Sequence, residues 1–303
     1  MDLLTDTKGC FATEARNERT MDIDTVDTLQ MVRMINHESD HLTALIEMQS
    51  ESIARAVDLI AGHLRQGGRL IYVGAGTSGR LGILDASECP PTFSVPAGMV
   101  VGLIAGGPKA ILQAVENAED DPGGAVSQLQ GIHFGSKDVV CGIAASGRTP
   151  YVIGALRYAR SIGAATICVT NNRHSPLAQV SDIPIEVEVG PEALTGSTRL
   201  KAGTAQKMVL NLLSTGAMIR LGKTYSNLMV DLSVSNEKLR CRCLRILREL
   251  FPGTPDAALE ETLNKAGNHV KTAAVMQQFG CGAEEALDIL AKADGRLRIA
   301  LNR

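Results

Sequence analysis

No apolar run among the 303 residues approaches the length of a bilayer span, so no membrane-crossing helix is expected. The opening MDLLTDTKGC has neither a basic start nor an apolar core, and it does not read as a signal peptide. Neither sign of charge dominates. Thirty Lys and Arg against 33 Asp and Glu leave a net charge of -3, with no basic stripe, which excludes a general nucleic-acid binder. The seven cysteines, Cys10, Cys89, Cys141, Cys168, Cys241, Cys243 and Cys281, are odd in number and irregularly spaced. They give no disulfide framework and fit a reduced, cytoplasmic protein. Cys241-x-Cys243 has no second pair to complete a zinc site. Of the six histidines, none falls in a turn assigned below to a ligand, and no Ser-His-Asp arrangement emerges. No G-x-x-x-x-G-K followed by Ser or Thr occurs, and there are no repeats or low-complexity tracts. What is present is an ordinary globular balance, 45% hydrophobic and 21% charged, long enough for one large α/β domain and a small second one.

Strand and helix patterns alternate through the middle of the chain. Thr25 to Asn36 reads as a helix, with Leu29, Val32 and Ile35 on one face. Asp40 is expected to cap a long helix reaching Arg65. Strands are expected at Leu70–Gly74, Met99–Ile104, Asp138–Ala144, Ala165–Thr170 and Ile183–Val189. Helices are expected from Arg80, over Lys109–Asn117, from Pro150 to Ile162, and from Leu200 to Leu221. Apolar strands without alternation, each leading into a helix, indicate a doubly wound parallel sheet covered on both faces. Its ligand belongs at the carboxyl ends of the strands. After Asp231 only short helical segments follow, from Asn236 onward, as in a small helical bundle.

Two glycine-hydroxyl turns carry the chemistry. Gly74-Ala-Gly-Thr-Ser-Gly79 leaves the first strand, and Ala144-Ala-Ser-Gly-Arg-Thr-Pro150 leaves the third. Free amides at a helix start, with Thr77, Ser78, Ser146 and Thr149 hydroxyls, suit a phosphate. Gly76, Gly147 and Arg148 complete these turns. The first matches G-x-G-x-x-G, but no ribose-binding acid follows the second strand, so a small sugar phosphate outranks a nucleotide. A third polar segment, Glu192 to Thr204, adds the Ser197 and Thr198 hydroxyls and Lys201 as ligand contacts. Acid-base candidates are Glu88, which precedes the stop Cys89-Pro90-Pro91, and Glu116, Glu119 and Asp120 after the second strand. The residues alone do not choose among them. No metal or other cofactor is expected.

The run Gly74-Ala-Gly-Thr-Ser-Gly-Arg-Leu-Gly-Ile-Leu-Asp-Ala-Ser-Glu88-Cys-Pro-Pro91 resembles the signature of the N-acetylmuramic acid 6-phosphate etherase family, which has a sugar isomerase (SIS) domain. Ala114-Val-Glu-Asn-Ala-Glu-Asp120, Gly142 to Tyr151, Thr195 to Lys207, Asn227 to Asp231 and Asn236 to Leu239 continue the resemblance, as do Thr13-Glu14, Asn17 and Ile35-Asn36 upstream. The resemblance implies an SIS domain over residues 57–222, preceded by N-terminal helices (1–56) and followed by a C-terminal helical domain (235–303). It implies a cytoplasmic homodimer acting in cell-wall amino-sugar recycling. The reaction implied is cleavage of the lactyl ether of N-acetylmuramic acid 6-phosphate to N-acetylglucosamine 6-phosphate and D-lactate. Carried over by motif, Glu88 and Glu119 are the catalytic pair. A sugar-phosphate isomerase is the rival enzyme on this fold. A non-catalytic sensor like glucokinase regulatory protein needs two such domains, and this chain has room for one. A regulator's DNA-reading module is missing, because the helices before residue 66 lack a basic recognition face.

Overall fold

The computed structural model describes residues 11–232 and 237–302. The opening decapeptide, with Cys10, and Asn236 therefore lie outside the described residues. Strands β1 (Leu70–Gly74), β2 (Val100–Ile104), β3 (Val139–Ala144), β4 (Ala165–Thr170) and β5 (Ile183–Glu186) form a single parallel sheet in the order β2-β1-β3-β4-β5. Helices α1 (Thr28–His37), α2 (Leu42–Glu47) and α3 (Ser50–Arg65) precede it. Helix α4 (Gly76–Phe93) follows β1, α5 (Lys109–Leu112) and α6 (Pro122–Gly131) follow β2, and α7 (Pro150–Ser161) follows β3. Helix α8 (Pro176–Gln179) follows β4, and α9 (Lys201–Arg220) follows the last strand.

Every residue of β1 and β3 is buried, as an apolar strand covered on both faces requires. Ile71, Val73 and Val140 pack with Leu129 of α6 and Val152 and Leu156 of α7. Arg69 and Asp138 clamp the strand starts: the guanidinium donates to Asp138 at 2.7 Å and to the Ile132 carbonyl at 3.0 Å. Burial pushes the Asp138 carboxyl up, but Arg69 and the Gly135 amide outweigh it and hold it below the usual range. Between β1 and β3 the strand order changes direction, so their carboxyl ends open a crevice.

Several local expectations are corrected. Helix α4 starts at Gly76, not Arg80, so the glycine turn is itself the first helical turn. It also runs through Pro90 and Pro91 to Phe93. Proline's φ is helical, and two missing N–H groups near the end are tolerated where Cys89 and Phe93 are buried. The expected helix over Lys109–Asn117 stops at Leu112. Asn117 then turns left-handed, at φ 59°, into a 3₁₀ turn over Ala118–Asp120. The expected long helix from Asp40 is two helices, because Gln49 leaves the pattern and its side chain accepts the Glu186 amide at the sheet edge. Asp40 contacts His37 instead of capping. The fifth strand ends at Glu186.

Contacts divide the chain into two units. One holds the residues up to Ser87 together with Gly98–Ser214, and the other holds Glu88–Ala97 and Thr215–Arg303. In the second, a hairpin of β6 (Thr224–Tyr225) and β7 (Leu228–Met229) accompanies helices α10 (Glu237–Leu250), α11 (Asp256–Lys265), α12 (Val270–Phe279), α13 (Ala283–Lys292) and α14 (Leu297–Leu301). Its own core is built on Leu247, Leu263, Val270 and Leu297. Cys243 is buried there and Cys241 exposed. Among the described residues, no helix is long and apolar enough to cross a membrane.

Candidate active site

A cavity of about 590 Å³ opens at the carboxyl ends of β1 and β3, lined entirely by the first unit. Gly76, Thr77 and Ser78 line it at the start of α4. Their amides belong to the first turn, where no intrahelical acceptor exists, so they point donors and a positive dipole end at the cavity. Ser146, Arg148 and Thr149 line it from the second turn, where α7 begins with Pro150. Thr149 sits at the N-cap position without using its side chain as a cap. Two helix starts thus converge on one cavity.

The two serines differ. Ser146 Oγ accepts the Arg148 amide at 3.2 Å, which leaves its own proton available. Ser78 is buried, and its hydroxyl donates to Gln206 Oε1 at 2.9 Å. Gln206 Nε2 donates in turn to Asn171 Oδ1, and Asn171 Nδ2 to the Val187 carbonyl.

Gly147 does not line the cavity. It holds φ at 69°, and a Cβ there would lie 2.4 Å from Ser175, so it shapes the turn from behind. Ser197 also stays off the wall, and its neighbour Thr198 takes the place. Lys201 is elsewhere: its side chain is 4% exposed and its ammonium binds Glu38 at 2.6 Å, because a buried ammonium needs a counter-charge. Arg19 holds the same carboxylate at 2.7 Å. Burial pushes the Glu38 carboxyl up, but hydrogen bonds from Arg19, Lys201 and Asn17 bring it down to about 2. Buried Glu192 accepts the Lys201 and Ala202 amides and so caps α9.

The acidic cluster after β2 separates by role. Asp121 caps α6 through the Gly123 amide at 2.8 Å. Glu119 and Asp120 line the cavity, whereas Glu116 lines an adjoining hollow of about 190 Å³ that Glu119 also borders. Glu88 is exposed on α4, about three turns beyond Gly76, and is not among the cavity's lining residues.

The Thr198 hydroxyl lines the cavity as expected, and two further lining residues, Glu14 and Arg157, are not among the ligand contacts that the sequence suggests. Glu14 arrives on a strap fastened by long-range bonds: Asn172 to Thr13 at 3.0 Å, Asn17 to the Pro191 carbonyl, and Thr20 to the Ala193 carbonyl. The same strap sets Phe11 under the Arg148 guanidinium at 4.2 Å. No local pattern announces such a placement. Arg157 was findable, since it continues the helical face that starts at Pro150.

Residues 52–160 match the glucokinase regulatory protein N-terminal SIS domain, and residues 123–216 match the SIS domain. A phosphoheptose isomerase of Francisella tularensis shares the fold, with a TM-score of 0.51 at 17% identity over 64% of this chain and 100% of that one. The N-acetylmuramic acid 6-phosphate etherases of Serratia proteamaculans and Yersinia pestis are each 54% identical to this chain, over 295 and 293 residues. Both alignments cover 97% of this chain and 99% of the relative. On that identity, sustained from end to end, the chain belongs to the N-acetylmuramic acid 6-phosphate etherase family.

Proposed function

We propose that the chain cleaves the D-lactyl ether of N-acetylmuramic acid 6-phosphate, giving N-acetylglucosamine 6-phosphate and D-lactate, as a step in recycling cell-wall amino sugars. The observation that carries this reading is a cavity with two helix starts and free hydroxyls at one end and Glu119 and Asp120 on its wall. The phosphate binds the amides of Gly76, Thr77 and Ser78 and the Ser146 and Thr149 hydroxyls, with Arg148 beside them and Gly147 and Ser197 supporting the turns. The opened sugar presents an aldehyde at C1, which acidifies the C2 proton. A base removes that proton, the C3–O bond breaks, and the departing oxygen takes up a proton to give lactate. Water then adds across the double bond, its hydroxyl to C3 and a proton to C2. One water is consumed overall.

Carboxylates suit these proton transfers. Glu119 stands on the cavity wall. Glu88 is the second catalytic carboxylate, and the active form is a homodimer. The exposed apolar face of α1, with Leu29, Val32 and Ile35, supports such an assembly. The test is incubation of the purified chain with N-acetylmuramic acid 6-phosphate and enzymatic assay of D-lactate. Stoichiometric release is expected, and conversion of sugar phosphates to isomers without lactate would refute the reading.

A further inference from the structure

The substrate in that reading carries two anionic groups, a phosphate on C6 and a carboxylate on the lactyl group at C3. The product keeps only the first. The helix starts and hydroxyls of the cavity account for the phosphate. A carboxylate brought against a wall bearing Glu14, Glu119 and Asp120 is repelled unless a cation faces it. Two guanidiniums line the cavity, those of Arg148 and Arg157. Arg148 belongs to the phosphate turn: its amide is tied to Ser146, and its guanidinium lies on Phe11.

Arg157 stands apart. The residues by which α7 lines the cavity are Pro150, Ile153, Gly154 and Arg157, a single helical face. That face runs from the phosphate turn to Arg157, about 10 Å along the helix axis, roughly the span from a sugar's C6 phosphate to a C3 substituent. The Glu119 turn is pressed against the same face. A Cβ on Gly154 would lie 2.3 Å from the Pro122 carbonyl oxygen, so only glycine admits that approach. Yet among the described residues Arg157 makes no hydrogen bond or ion pair, with carboxylates on the same wall. A guanidinium fork matches a carboxylate with two parallel bonds. We propose that Arg157 binds the lactyl carboxylate and is the residue by which the site distinguishes substrate from product. The inference rests on the activity proposed above.

The experiment compares two ligands on the full chain. Arg157→Met keeps the aliphatic stem, and Arg157→Gln is the second variant. Each should lower kcat/KM for N-acetylmuramic acid 6-phosphate by roughly 10–100-fold, the range for a bond to a charged group. Product inhibition by N-acetylglucosamine 6-phosphate should stay within about 2-fold of wild type, since the product lacks the carboxylate. That retained inhibition also reports a folded site, and Arg157→Lys should recover part of the loss. Equal losses for both ligands, no loss for either, or a selective loss in Arg148→Met instead would each overturn the assignment. A wild-type chain that releases no lactate would overturn the activity itself and this inference with it. Normal wild-type turnover with an unselective Arg157 variant overturns this inference alone.

Discussion

Single hydroxyl protons decide which serine can donate to a phosphate. The Val187 carbonyl can only accept, so Asn171 must turn its Nδ2 there and its Oδ1 to Gln206. Gln206 must then offer Nε2 to Asn171 and Oε1 to Ser78, which makes Ser78 the donor in that bond. Ser146 carries no such obligation, because its oxygen accepts an amide and its proton is free. Ser146→Ala is therefore expected to weaken binding of N-acetylglucosamine 6-phosphate by about 1.5–3 kcal/mol. Ser78→Ala should act chiefly on stability, by stranding the buried Gln206 oxygen, at a cost of about 1–3 kcal/mol. Calorimetric titration and urea denaturation of both variants separate the effects, and the opposite ranking would contradict the relay. The sequence supplies both serines as equals. Their difference rests on Gln206, 128 residues from Ser78, which no local pattern contains.

Among the elements, the sheet and its helices were legible and the site's far wall was not. The fully buried strands β1 and β3 announce themselves as apolar runs, and the two phosphate turns follow from glycine and hydroxyls at strand ends. Lys109 to Asn117 has helical spacing, but the helix stops at Leu112 and left-handed Asn117 diverts the chain into the 3₁₀ turn that carries Glu119. The position of Lys201 at a helix start is visible in the sequence and suggests a ligand contact, whereas its partner Glu38 is remote. That buried pair fastens the segment before the sheet to α9. Glu38→Gln leaves the Lys201 ammonium uncompensated and should cost about 3 kcal/mol at pH 7. The folded carboxyl, near 2, lies below its ordinary 4.5. The stabilisation is therefore complete above about 4.5 and drains as pH falls toward about 2. Urea midpoints at pH 7, 4 and 3 should show the gap between wild type and Glu38→Gln narrowing on acidification. A constant gap would mean the carboxylate does not carry the effect.

For the whole molecule, the proposed chemistry requires that the lactyl group leave by elimination and that water return to the same carbon. Both halves pass through an intermediate that has lost the C2 proton. A direct displacement at C3, using the same phosphate site and the same carboxylates, would never touch C2. The two routes give identical products in ordinary water, so lactate release alone does not separate them. Turnover in deuterium oxide does. N-acetylglucosamine 6-phosphate formed by the wild-type chain should carry deuterium at C2 in every molecule, read by proton NMR as loss of the C2 signal. Product that retains its original proton at C2 would contradict the elimination-hydration account.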